Sequence, residues 1–236
     1  MGMKQILVMM AAAVVLVGCG KNTPESSQSA EAEAQEASKP SPEPDPISPA
    51  EEKVIAIADP IVEKAIRTDL GKYTGKLTEA DLAKVTVLDL DASQITDAGL
   101  KDVAKLQNLK ELYVASTQIT DAGLKEVAKF QKLTALNLGG TKITDAGLKE
   151  VAKLQKIERL WLFDTQITDA GLKEVVKLQN LDKQLDLRGT KVTDAGLKHL
   201  AKLKKLTFLR LDNTKATASG VSELKKALPY CRISNP

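Results

Sequence analysis

Apolar and polar positions alternate along this chain in two periods, one helical and one strand-like, and the pair repeats. In the copy that starts at Ile119, Leu124, Val127 and Ala128 follow helical spacing, while Lys125, Glu126 and Lys129 take the water-facing positions. Between copies runs an L-x-x-L-x-L-x-x-T stretch, as at Leu109, Leu112, Val114 and Thr117, whose alternation predicts a short strand. The hexapeptide Ile-Thr-Asp-Ala-Gly-Leu begins at Ile95, Ile119, Ile143 and Ile167, always 24 residues apart. A Val192 copy follows after 25 residues, and a degraded copy starts at Ala216. This period predicts a stacked solenoid, in which each unit buries its apolar side against its neighbours.

The constant polar residues have structural readings. Thr120 is placed to cap a helix, Asp121 then falls at its positive end, and Ile119 and Leu124 have staple spacing. Gly123 recurs at Gly99, Gly147, Gly171, Gly196 and Gly220, where a missing Cβ lets neighbouring coils approach. Thr117, Thr141, Thr165, Thr190 and Thr214 are expected to satisfy backbone groups in the turn after each strand. The one-residue excess between Leu181 and Leu185 is expected to bulge the helix-to-strand loop and leave both neighbouring cores intact.

The ends differ from the middle. Asp59-Pro60 reads as a helix entry and Gly71 as its stop, with Ile61, Val62, Ala65, Ile66 and Leu70 as the stripe between. Thr78-Glu79-Ala80-Asp81 opens a second helix carrying Leu82. Residues 51–84 are thus expected to form a helical N-terminal cap, 85–214 the repeats, and 215–236 a C-terminal cap, where Ala218 replaces the Asp and Pro229 interrupts the pattern.

On these residues the chain resembles the leucine-rich repeat family, in the short-helix bacterial variety with Thr where other members carry Asn. The resemblance covers roughly residues 85–214. It implies an α/β, right-handed horseshoe solenoid with a parallel concave sheet and convex helices. It also implies a binding scaffold, without naming the ligand.

The front of the chain reads as an address. Lys4 precedes Ile6–Val17, an apolar run of 12 that is too short to span a membrane and suits a signal peptide over residues 1–18. Leu16-Val17-Gly18-Cys19 resembles the bacterial lipobox, which implies cleavage before Cys19 and a lipid on it. Gly20, where an Asp would mark inner-membrane retention, favours the outer membrane or periplasmic face of a bacterial envelope and leaves the cell surface open. Residues 19–50 then form a Ser-, Glu-, Ala- and Pro-rich tether with one bulky aliphatic, Ile47. Such a segment buries too little surface to offset its ordering entropy, and it could reach roughly 90 Å if extended.

Composition narrows the chemistry. The formal charge is +3, made of −4 in residues 20–50, +1 from Lys4 and +6 in residues 51–236. With Cys19 lipidated, Cys231 is the one free thiol; it is expected in the core, with Ile233 completing an L-x-L pair. The single histidine, His199, occupies the water-facing place of Glu126 and Glu150. No phosphate loop, nucleophile elbow or other catalytic signature occurs. A protein that is not an enzyme and binds no cofactor is expected. The Asp column offers one carboxylate per coil, too few for calcium, so no metal is expected. The mixed signs of the Lys-Glu-x-x-Lys face read as a solvated helix surface, so no nucleic acid is expected either.

The variable sheet positions carry the strongest hint. Alternation places eighteen side chains on the concave face in three columns. The columns run through Val87, Glu111, Ala135, Arg159, Gln184 and Phe208; Asp89, Tyr113, Asn137, Trp161, Asp186 and Arg210; and Asp91, Ala115, Gly139, Phe163, Arg188 and Asp212. They hold four of the chain's seven aromatics, three of its five arginines and none of its 29 lysines. Random placement would put about half an aromatic and about two lysines there. Arg, Trp and Tyr are enriched in protein interfaces and Lys is depleted. Tyr113, Arg159, Trp161, Phe163, Arg188, Phe208 and Arg210 are therefore the expected partner-binding residues. The expected protein is a lipid-anchored, monomeric recognition module for a protein or peptide. A glycan or anionic-lipid binder and a passive structural scaffold are the alternatives.

Overall fold

The structure is a computed structural model that describes residues 53–234; Cys19, the signal-like run and the tether lie outside the described residues. Two helices come first, α1 (Pro60–Leu70) and α2 (Glu79–Leu82), followed by six strand–helix units and a last strand. The strands are β1 (Val87–Asp89), β2 (Glu111–Tyr113), β3 (Ala135–Asn137), β4 (Arg159–Trp161), β5 (Gln184–Asp186), β6 (Phe208–Arg210) and β7 (Arg232–Ile233). The helices between them are α3 (Leu100–Val103), α4 (Leu124–Val127), α5 (Asp145–Val151), α6 (Asp169–Val175), α7 (Asp194–Leu200) and α8 (Ala218–Ala227). All seven strands pair in parallel, in chain order, in one open sheet.

Register follows from the leucines. Leu88, Leu112, Leu136, Leu160, Leu185 and Leu209 stand side by side across the sheet and are at most 1% exposed. Flanking residues of each strand point the other way, because successive side chains alternate. The helical Leu124, Leu148, Leu172 and Leu197 close the core from the opposite side, each at most 2% exposed.

The caps form as their residues dictate. Asp59 accepts from the backbone N–H groups of Ile61 and Val62, Pro60 opens α1, and Gly71 ends it at φ 62°. Thr78 and Asp81 make a reciprocal capping box on α2. The Lys72 ammonium beside Asp81, helped by the Thr78 backbone N–H, holds that carboxyl well below the usual range.

Inside the repeats the threonines each donate to the carbonyl three residues back, Thr117 to Val114, Thr141 to Leu138 and Thr165 to Leu162, all at 2.6 Å. The aspartates do more than face a helix terminus. Asp121 Oδ1 accepts from the Thr144 backbone N–H at 2.8 Å, and its Oδ2 accepts from the Thr144 hydroxyl at 2.6 Å. The same clamp joins Asp97 to Thr120, Asp145 to Thr168, Asp169 to Thr193 and Asp194 to Thr217. The column is thus an inter-coil fastener, and the recurrent glycine makes room for it. A Cβ on Gly147 would sit 2.3 Å from Asp121 Oδ1.

The extra residue near Leu181 is absorbed before β5. Leu181 stays buried, Leu185 keeps its register with Leu160, and the Lys183 and Gln184 N–H groups both donate to the Glu158 carbonyl. Deleting Lys183 should therefore leave a folded domain with a melting temperature lowered by a few degrees. Deleting Leu185 should abolish cooperative melting, because Gln184 would then fill the buried leucine position between Leu160 and Leu209. Equal damage from both in thermal melts would show that the loop length is itself required.

The end of the chain departs from the expected spacing. Ile233, rather than Cys231, stands beside Leu209, and Arg232 joins the face as a seventh coil. Cys231 is buried one residue earlier, and burial pushes its thiol up to about 11, which leaves it protonated and inert near neutral pH.

Candidate interaction face

The face of the sheet away from the helices carries the expected partner-binding residues on alternate strands: Tyr113 on β2, Arg159 and Trp161 on β4, Phe208 and Arg210 on β6. Phe163 and Arg188 lie just past the ends of β4 and β5. The face is built in two tiers. Ala115, Ala135, Gly139 and Asp186 are buried rather than exposed as the alternation implied, because larger neighbours lean across them. Phe163 covers Gly139, where a Cβ would meet its ring at 2.2 Å. Arg159 reaches over Ala135 to Glu111, two coils away, at 2.8 Å. Small residues in the lower tier are what let the large ones lie down.

Leaning also brings the aromatics together. Tyr113 and Trp161 stand two strands apart, a ~10 Å separation at the sheet spacing, yet their ring centroids are 6.1 Å apart and tilted by 41°. That is aromatic-pair distance. Arg159 sits 6.0 Å over the Trp161 ring, Arg188 lies 5.4 Å over Phe163, and Arg232 lies 5.8 Å over Phe208. Tyr113 donates its hydroxyl to Glu111. Burial, then that hydrogen bond, pushes the phenol up to about 12, so it remains a neutral donor.

The arginines are not loose cations. Arg188 grips Asp186 through Nε at 2.9 Å and Nη2 at 2.8 Å, and Arg210 comes within 3.7 Å of the same carboxylate. Asp186 is fully buried beneath them. The bidentate pairing fixes the Arg188 guanidinium plane, while Arg210 adds a single longer contact to the same carboxylate.

Near its N-terminal end the face opens into a groove of about 550 Å³ between α1 and β1, lined by Ile61, Lys64, Asp69, Val87, Asp89 and Asp91. Burial raises the Asp91 carboxyl, an effect partly offset by the hydrogen bond it accepts from Ala115. Neither the groove nor Arg232 was visible in the repeat pattern, because both belong to the irregular ends. Among the described residues no group of three or more His, Cys, Asp or Glu gathers as a metal site, and no helix is long and apolar enough to cross a membrane.

The leucine-rich repeat family model matches residues 105–128, 131–152 and 183–201. Internalin C2 of Listeria monocytogenes is similar in structure, with a TM-score of 0.57 and 26% identity over 79% of this chain and 88% of that one. A leucine-rich repeat protein of Leptospira interrogans gives 0.52 and 28% over 65% of this chain and 38% of its own. Internalin F of Listeria monocytogenes gives 0.55 and 24% over 75% and 58%, a likeness of fold. No curated relative matches the sequence. The described residues form a leucine-rich repeat solenoid, with parallel strands in one open sheet alternating with helices.

Proposed function

We propose that this protein is a lipid-anchored, non-catalytic component of a bacterial envelope that recognises a protein or peptide through the sheet face. The observation that carries the reading is the composition of that face. A chain with 29 lysines and five arginines puts arginines, and no lysine, among the paired aromatics there. The ion pairs of Arg188 and Arg210 with Asp186 favour a protein partner over an anionic ligand, since a buried carboxylate already holds both guanidinium groups. Crosslinking in the native envelope from a photoreactive residue at Asn137, between Tyr113 and Trp161, tests the reading. One dominant protein adduct supports it, whereas adducts no more abundant than those from Lys149 on α5 would sink it.

Anchoring has its own test. Cys19→Ala should leave a precursor of higher mass that takes up no labelled fatty acid. Equal labelling of the variant and the wild type would remove Cys19 as the lipid site.

A further inference from the structure

Charge is distributed unevenly along the solenoid. Residues 51–94 carry six basic and nine acidic side chains, a net −3, while residues 192–236 carry nine basic and three acidic, a net +6. Of those nine cations, Arg210 and Arg232 belong to the sheet face, and the other seven are all lysines.

In the earlier coils the lysine that follows each helix pairs with the helix glutamate three residues before it. Lys129 pairs with Glu126 at 2.6 Å, and Lys153 with Glu150 and Lys177 with Glu174 at 2.7 Å. On α7, His199 takes the place of that glutamate, and Lys202 loses the partner its counterparts have. The loop that follows changes as well. Gln131-Lys132 and Gln155-Lys156 become Lys204-Lys205, both exposed. Lys204 reaches across to the α8 end and donates to the Ala227 carbonyl at 3.1 Å, which places it beside the turn that carries Tyr230. Tyr230 is 92% exposed, and nothing in the core accounts for an aromatic ring held in water. Lys225 and Lys226 complete the rim. Lys226 meets Glu223 at 2.6 Å with both side chains 70% exposed, a pair that solvent largely screens.

We propose that the helix-to-strand edge of the last two coils, with Lys202, Lys204, Lys205, Lys225 and Tyr230, docks on a membrane surface of anionic phospholipid headgroups. Lysine ammonium groups are compact, hydrated point charges suited to a diffuse phosphate surface, whereas base or bidentate recognition calls for arginine, which this edge lacks. A tyrosine between lysines matches the composition of the membrane–water boundary, where the ring sits at headgroup level and the hydroxyl stays wet. The surface is separate from the sheet face, so docking would leave the recognition residues free. It depends neither on a lipid at Cys19 nor on the identity of the protein partner.

The test is partition of the full chain onto vesicles of phosphatidylglycerol mixed with phosphatidylcholine, against phosphatidylcholine alone. The ratio of the two cancels any anchoring that ignores the headgroup. It should reach at least about a hundred at low salt and fall steeply as salt is added. Lys204→Gln with Lys205→Gln should lower the ratio about thirtyfold without moving the melting temperature. Tyr230→Ser should weaken binding to the mixed vesicles severalfold. A matched control with the same charge loss, Lys125→Gln with Lys149→Gln on α4 and α5, should change the ratio by less than about threefold. The proposal is overturned if that control loses as much as the Lys204 and Lys205 pair, or if the wild type ignores phosphatidylglycerol. It is equally overturned if a duplex oligonucleotide competes the chain off the vesicles through the same two lysines.

Discussion

Gly147→Ala is expected to lower the melting temperature by about 5–10 °C, although alanine is the better helix former. The new methyl group would lie 2.3 Å from Asp121 Oδ1 and 2.7 Å from Leu124 Cδ1. Neither distance can stand, so the carboxylate must swing away. Unlike a loose surface side chain, it is held at both oxygens by Thr144. Moving it breaks a charge-assisted bond to a backbone N–H and a second bond to a hydroxyl, which together with the overpacking costs about 3–4 kcal/mol. Helix propensity returns about 1 kcal/mol. The net loss of about 2–3 kcal/mol sets the expected shift at ~2–4 °C per kcal/mol for a domain of this size. Asp121→Ala in the same background removes the clash with the carboxylate and leaves only the Leu124 contact. The two changes together should therefore cost at least about 1 kcal/mol less than the sum of the singles. Additive losses in thermal or denaturant melts would mean that the carboxylate is not what the glycine accommodates.

That pairing shows where the sequence was legible and where it was not. Core leucines were readable from their period, and the turn threonines, the Asp59-Pro60 entry, the Gly71 stop and the capping box at Thr78 because each acts within a few residues of itself. The role of Asp121 was not, since its partner Thr144 is 23 residues away, and a helix-terminus explanation satisfied the local pattern. A signal did exist in the degraded last copy. Ala218 has replaced that coil's own aspartate, yet Gly220 persists, because the carboxylate it must admit belongs to Asp194 in the coil before. At the other end Asp59, a helix cap outside the repeats, occupies the same place against Gly99. The glycine tracks its neighbour's aspartate rather than its own.

On the candidate face the columns were readable and the tiers were not. Alternation assigns a side of the sheet but not whether a side chain stands or lies down. Ala135 and Gly139 beneath Arg159 and Phe163 are the residues from which the leaning could have been inferred. The buried Asp186 gave no such sign, because its burial depends on two arginines arriving from different coils. Internal partners at Asp186 and Glu111 make the face a preassembled surface rather than a set of free charges.

The last expectation concerns Trp161, the one tryptophan in the chain. It lies half-buried beside the Tyr113 ring, 6.1 Å away, and the Arg159 guanidinium, 6.0 Å away. A partner that covers this triad would complete the burial of a large rigid ring whose orientation is already set, so little ordering cost offsets the gain. Central aromatic hot spots cost about 2 kcal/mol or more on truncation. Trp161→Ala should therefore weaken binding of the crosslinked envelope protein at least about thirtyfold, at ~1.4 kcal/mol per factor of ten. The melting temperature should fall by only a few degrees, because the leucines on either side, Leu160 and Leu162, carry the core and are fully buried. Trp161→Phe should recover part of the affinity, since a ring still stacks on Tyr113. Lys149→Ala on α5 should change neither affinity nor stability. Binding is to be titrated through the emission of Trp161 itself in the wild type and by calorimetry in the variants. Should Trp161→Ala unfold the domain while each folded molecule binds as tightly as before, the ring would be a packing residue and the recognition face would lie elsewhere on the solenoid.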